Sequence, residues 1–241
     1  VSPLPTIDAD IQLVVFDLMG TLIADDYVVH RAYEHALEQA GLCRGTTAFD
    51  DAICRVDELR GRPTLVVLTK VLGDPIAAEE ATWAFDDSIL GEVPRMQPIA
   101  GAAEVLELLD RSGILAAVTT SFTPEVRRAV LRELGWADTF AAALSAHGIR
   151  RGHPAPDLLL EAILELRIDS VGQVAIVGDT AADLEAGNRA GAGLVVGVRS
   201  GRAPDESLAA APHTHLIDSV ADLASVLCAP RTVGQRRSSD Q

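Results

Sequence analysis

Leu13-Val14-Val15-Phe16-Asp17-Leu18-Met19-Gly20-Thr21 decides how this chain folds. Four apolar residues, two of them β-branched, run without interruption and stop at a carboxylate. A strand with one wet face alternates apolar with polar residues. One buried on both faces reads as a continuous apolar run, which points to a parallel sheet covered by helices on either side. Gly20-Thr21 then turns the chain sharply. Asp17 is therefore expected at the carboxyl end of a parallel strand, where open α/β sheets bind their ligands.

The pattern recurs downstream. Strands are expected at 114–118, 140–144, 174–177 and 194–198, with one more at 215–217. Helices are expected between and after them at 102–111, 124–134, 156–166, 182–190 and 223–227. Thr123 reads as an N-cap with Pro124 at the first helical position. Such alternation predicts an α/β fold with a doubly wound parallel sheet. Between 28 and about 97 there is no strand signal. Val29, Ala32, Tyr33, Ala36, Leu37 and Ala40 form one helical stripe closed by Gly41. Further helices read at 49–60, 64–72 and 77–90. This block is expected to be a separate helical insert. The core then comprises 8–24 and 98–228 and the insert 25–97, with flexible termini at 1–7 and 229–241.

A formal charge of −15 over 241 residues argues against nucleic acid as a partner, because backbone binders need clustered cations. A small anionic substrate needs only a local positive site. Lysine occurs once, at Lys70, so arginine supplies almost every cation. Cys43, Cys54 and Cys228 are odd in number, widely spaced and form no Cys-x-x-Cys pair, which fits a reducing compartment. No basic segment followed by a long apolar run opens the sequence, and no apolar run is long enough to span a membrane. The expected location is the cytoplasm, with no membrane partner. The apolar positions of the insert suit either its own core or a dimer contact, so monomer and homodimer both stand.

Four segments place polar groups at expected strand ends: Asp17, Thr119, the Arg151–His153 loop, and Asp179 with Asp183. Two carboxylates at neighbouring strand ends repel unless a cation lies between them. A hard cation with oxygen ligands, Mg²⁺, resolves this and is commonly shared with substrate phosphates. Asp183, one turn into the following helix, is placed to hold metal-bound water. Thr119 and the N–H of Thr120 can donate to phosphoryl oxygens. Arg150, Arg151 and His153 can supply positive charge.

In this order the segments resemble the haloacid dehalogenase-like superfamily of hydrolases. Phe16–Leu22 is similar to its first motif, Val118-Thr119-Thr120 to the second, Gly152–Asp157 to the third, and Gly178–Leu184 to the fourth. Within the superfamily the closest likeness is to the phosphonoacetaldehyde hydrolase-like branch, carried by 22–40, by Thr119-Thr120-Ser121-Phe122 and by Leu134-Gly135-Trp136. The resemblance implies a Rossmann-like core with an all-helical cap inserted after the first strand. It implies that Asp17 attacks phosphorus to form an aspartyl-phosphate, and that Asp17, the carbonyl of Met19 and Asp179 hold Mg²⁺ with Asp183 in support. Thr119, Thr120 and Gly20 would bind the phosphoryl group, and Arg151 and His153 would serve the catalytic charge. The implied substrate is a small phosphorylated or phosphonate metabolite.

Three positions depart from the family pattern. Met19 stands where phosphatases carry a second aspartate that handles protons; Asp25, Asp26 and His30 are candidates to replace it. His153 stands where lysine or arginine is usual. Thr64 stands where the phosphonoacetaldehyde enzymes carry a lysine that forms an imine, with Lys70 about two turns on. Three functions follow: a phosphohydrolase, a silent relative that binds a phosphorylated ligand or partner, and a carbon–phosphorus hydrolase.

Overall fold

The computed structural model describes residues 11–146 and 151–228; the expected flexible termini and Arg150 lie outside them. Six parallel strands form one sheet in the order β3-β2-β1-β4-β5-β6. They are β1 (Leu13–Phe16), β2 (Leu115–Thr120), β3 (Ala142–Ser145), β4 (Val174–Gly178), β5 (Leu194–Val198) and β6 (His215–Ile217). The order reverses between β1 and β4, which pair in register from Leu13↔Val174 to Phe16↔Val177. A crevice opens at such a reversal, beyond the carboxyl ends of the two strands.

β1 is buried on both faces, and its residues feed two separate cores. Val14 and Phe16 pack on the side of α5 (Ala102–Arg111), α6 (Pro124–Glu133) and α10 (Leu223–Leu227). Leu13 and Val15 pack on the side of α7 (Asp157–Glu165), α8 (Ala181–Ala190) and α9 (Asp205–Ala210). The continuous apolar run of β1 therefore serves two layers, as the doubly wound reading requires. α9 is an addition: its six residues follow Pro204 and have too few apolar positions to show a helical period. β2 also runs further than expected, through Thr119 and Thr120, because both continue the ladder to Leu144 and Ser145 of β3. Thr123 caps α6 through Val126 N–H (3.5 Å), with Pro124 at the first position.

All four cap helices lie between β1 and α5. They are α1 (Val28–Gln39), α2 (Thr47–Glu58), α3 (Thr64–Leu72) and α4 (Pro75–Glu92). The segments leading in and out run side by side, with Ala24 N–H donating to Gln97 O (3.0 Å) and Ile99 N–H to Leu22 O (2.9 Å). The cap interior is continuous with one core of the sheet. Phe122, from the turn after β2, joins Phe85 of α4 and Tyr33 of α1 in an aromatic cluster with ring centroids 6.2 and 4.6 Å apart. Beside it the Thr123 hydroxyl donates to Asp86 of α4 (2.8 Å). Among the described residues no helix is long and apolar enough to cross a membrane.

Candidate active site

Asp17 is the first residue past β1. Its N–H donates to Val177 O of β4 (2.9 Å), so the ladder continues one step and fixes the backbone at the crevice. Asp179 follows β4 directly. Asp183 lies in the first turn of α8, where it forms a capping box with Thr180. One oxygen from each of the three carboxylates lies within 4.8 Å of the others. Glycine makes this crowding possible. A Cβ at Gly20 (φ +85°) or Gly201 would overlap the Asp179 carboxylate, and one at Gly178 would overlap Asp183.

The electrostatics show what the cluster lacks. Burial, followed by the charges of Asp183 and Asp179, pushes the Asp17 carboxyl well above the usual carboxylate range. Burial, followed by Asp183 and Asp25, does the same to Asp179, partly opposed by Arg60. Asp179 Oδ1 is buried without a hydrogen-bond partner. Like charges held together out of water are stable only when neutralised. An all-oxygen donor set with an unsatisfied oxygen fits a hard divalent cation such as Mg²⁺.

Asp183 is held from several directions. Its Oδ2 accepts from Thr180 N–H (2.9 Å) and Thr180 Oγ1 (2.7 Å), and its Oδ1 lies 2.6 Å from His153 Nδ1. At that separation one proton is shared between His153 Nδ1 and Asp183 Oδ1. His153 is 5% exposed, and among the described residues its Nε2 has no hydrogen-bond partner. The residue expected to carry positive charge is thus engaged in orienting Asp183.

Two cavities lie beside this point. The smaller, about 50 Å³, is bordered by Asp17, Met19, Asp179, Asp183 and Thr120, and from the cap side by Asp25, Val29, Arg60 and Gly61. The larger, about 1010 Å³, lies between α3 and α4 of the cap and α6 and the His153 loop of the core. Ser121 borders both. Thr119 borders neither; it is fully buried and its hydroxyl donates to Phe16 O (3.5 Å). Gly20 packs against Asp179, and its carbonyl accepts from Ser200 Oγ (2.8 Å). Arg151 does not reach the carboxylates. It makes a bidentate pair with Asp157 (2.9 and 2.7 Å) at the rim of the larger cavity. That pair raises the arginine and lowers the aspartate from their ordinary values.

Of the three candidates to replace the missing aspartate, Asp25 alone borders the smaller cavity. Its Oδ1 accepts from Val29 N–H (3.2 Å) and its Oδ2 lies 3.8 Å from Arg60 Nη1. His30 lies 3.8 Å from both Glu34 and Asp57, and Asp26 is exposed. Arg60 is the residue sequence reasoning missed. It sits in the turn between α2 and α3, where Gly61 (φ +81°) lets the backbone press onto the core: a Cβ there would overlap Thr180 Oγ1. The Gly61 and Pro63 break between two helices was the available signal. Lys70 is exposed and borders neither cavity, while Thr64 is buried at the start of α3.

Comparison with known proteins agrees with this geometry. The pattern of the haloacid dehalogenase-like hydrolase family matches residues 11–191. A phosphoglycolate phosphatase from Aquifex aeolicus is 28% identical over 180 residues, covering 75% of this chain and 81% of that protein. A phosphonoacetaldehyde hydrolase from Bordetella pertussis is 33% identical over 169 residues, covering 58% of this chain and 60% of that protein. The crystal structure of a hydrolase from Pseudomonas syringae superposes with a TM-score of 0.78 at 22% identity, over 89% of this chain and 96% of that one, a likeness of fold. Relatives of both the phosphatase and the phosphonoacetaldehyde kind match, so no single branch is marked out.

Proposed function

This chain belongs to the haloacid dehalogenase-like hydrolases, and on that footing we propose that it is a Mg²⁺-dependent phosphohydrolase working through an aspartyl-phosphate at Asp17. The observation that carries this reading is the carboxylate triad at the β1/β4 reversal, crowded together and, among the described residues, only partly opposed by Arg60. Asp17, Asp179 and the Met19 carbonyl would hold Mg²⁺, with Asp183 on its water. Bound there, the ion offsets the carboxylates and the charge that develops on the transferring phosphoryl group.

The protein's own groups account for the rest. An Oδ of Asp17 bonds to phosphorus as the bond to the leaving oxygen breaks. The leaving oxygen takes the electron pair and a proton. Water then adds to phosphorus, gives up a proton, and the bond to Asp17 breaks to return the carboxylate and inorganic phosphate. Met19 can neither supply nor take those protons. Asp25, across the smaller cavity, can do both and is the proposed general acid and base. Arg60 brings a guanidinium from the cap, and Thr120 with Ser121 faces the phosphoryl oxygens. His153 positions Asp183. Thr119 would act by holding the end of β1 through Phe16 O, and Arg151 by ordering the third-motif loop through Asp157.

Cleavage of a carbon–phosphorus bond through a lysine imine has no support in either cavity, since the one lysine of the chain borders neither. The silent-relative reading rests on Met19. A panel of phosphate monoesters separates it from catalysis. Mg²⁺-dependent phosphate release that is lost in Asp17→Asn is the expected result. Absence of release from every ester, together with a thermal shift on adding phosphate, would establish a binding protein instead. Met19→Asp is expected to raise turnover, because it restores a proton donor beside an otherwise complete site.

A further inference from the structure

The smaller cavity is too small for a whole substrate. A water needs ~10–15 Å³ by this measure, so about 50 Å³ accommodates roughly four waters, the space of a phosphoryl group and little more. The cap also lies close on that side, with Gly61 against Thr180 and Pro63 against Gly152. The alcohol part of an ester must therefore extend elsewhere. The larger cavity has sufficient size and shares Ser121 as a wall with the smaller one. At about 1010 Å³ it reaches the upper end of the ~300–1,000 Å³ usual for drug-sized ligands.

We infer that this cavity is the subsite for the substrate's leaving group, and that the substrate is a phosphate monoester of a bulky, ring-bearing alcohol. The inference rests on the phosphohydrolase reading. Its chemistry comes from the walls. Trp83 of α4 borders the cavity with 70% of its surface exposed, and Leu65 and Val66 of α3 are exposed beside it. A large indole left in water on a concave wall is a stacking surface for a flat ring. Arg62, Arg128, Arg151 and Arg189 bring positive charge and Glu79, Asp86 and Glu125 negative charge, so the walls carry both signs. Such walls hydrogen-bond a polar ring system and select no net charge, which leaves the aromatic surface to set the preference.

The test pairs two esters with primary alkoxide leaving groups, 2-phenylethyl phosphate and ethyl phosphate, so that ring recognition is read apart from leaving-group reactivity. The expected ratio of kcat/KM favours the ring by more than about tenfold, in line with what burial of even one methylene in an apolar pocket achieves. In Trp83→Ala that ratio falls severalfold. A ratio near one, or a ratio unchanged by Trp83→Ala, overturns the subsite. A second measurement separates this from failure of the catalytic reading. In Asp17→Asn, 2-phenylethyl phosphate with Mg²⁺ is expected to perturb tryptophan fluorescence, and the same ester is expected to leave Asp17→Asn/Trp83→Phe unperturbed. That response without turnover in the wild type would sink the hydrolase and keep the subsite. Turnover of both esters at equal efficiency with no response would do the reverse.

Discussion

Asp17 and Asp179 sit in a state that neither would choose alone. Both carboxyls are held well above the ordinary range, by burial first and then by neighbouring carboxylates. The folded protein therefore binds more protons than the unfolded chain between about pH 4 and the raised folded values, and its stability falls as pH rises through that window. Metal-free protein is expected to melt at a higher temperature near pH 5 than near pH 8, with millimolar Mg²⁺ recovering the loss near pH 8. Asp179→Asn should flatten the pH dependence and lose most of the Mg²⁺ shift; a full shift in that variant would mean the ion binds elsewhere. At the same scale, Asp25→Asn is expected to lower turnover by ~10²–10⁴-fold, the span of a lost general acid–base. Equal turnover in Asp25→Asn and wild type would return the proton problem posed by Met19 to open ground.

The α2–α3 turn makes a sharper claim, because two glycines allow a controlled comparison. Gly61 and Gly73 both have left-handed backbones, but a Cβ overlaps Thr180 only at Gly61, while Gly73 has nothing within 4 Å. Alanine in a left-handed conformation costs ~1–2 kcal/mol at either place. Gly61→Ala is further expected to lift Arg60 away from the carboxylates and depress phosphate release, whereas Gly73→Ala should leave the specific activity of the folded protein intact. Steady-state assays beside thermal melts would tell these apart. Elements were also the scale at which sequence spoke most clearly. β1, β5 and β6 fall on their expected residues, and all four cap helices lie within a residue or two of where they were expected, α1 through its helical period. Asp17 and Asp179 were readable because each ends an apolar strand, which places a side chain without knowledge of anything distant. Arg60 was not readable, since its position depends on how four helices pack and then rest on the core. The contact made by His153 was unreadable for the same reason: its partner Asp183 is thirty residues away.

Across the whole molecule, cap and sheet are joined by apolar contact more than by the chain. Phe122 is a core residue inserted among cap aromatics and is 2% exposed. Phe122→Ala is expected to destabilise the protein by ~3–5 kcal/mol, as for other buried phenylalanines. It should also expose the cap to limited proteolysis before the sheet unfolds, and simultaneous loss of both parts would show that they melt as one unit. The paired connections at Ala24 and Gln97 have a kinematic consequence. Because the two connections are hydrogen-bonded side by side, at Ala24–Gln97 and Leu22–Ile99, any displacement of the helical block would pivot about that short edge. α4, with 18 residues, is a lever about 27 Å long, so a tilt of about ten degrees carries its far end through about 5 Å. A tilt about that edge would carry Arg60 and Trp83 together, since both belong to the helical block.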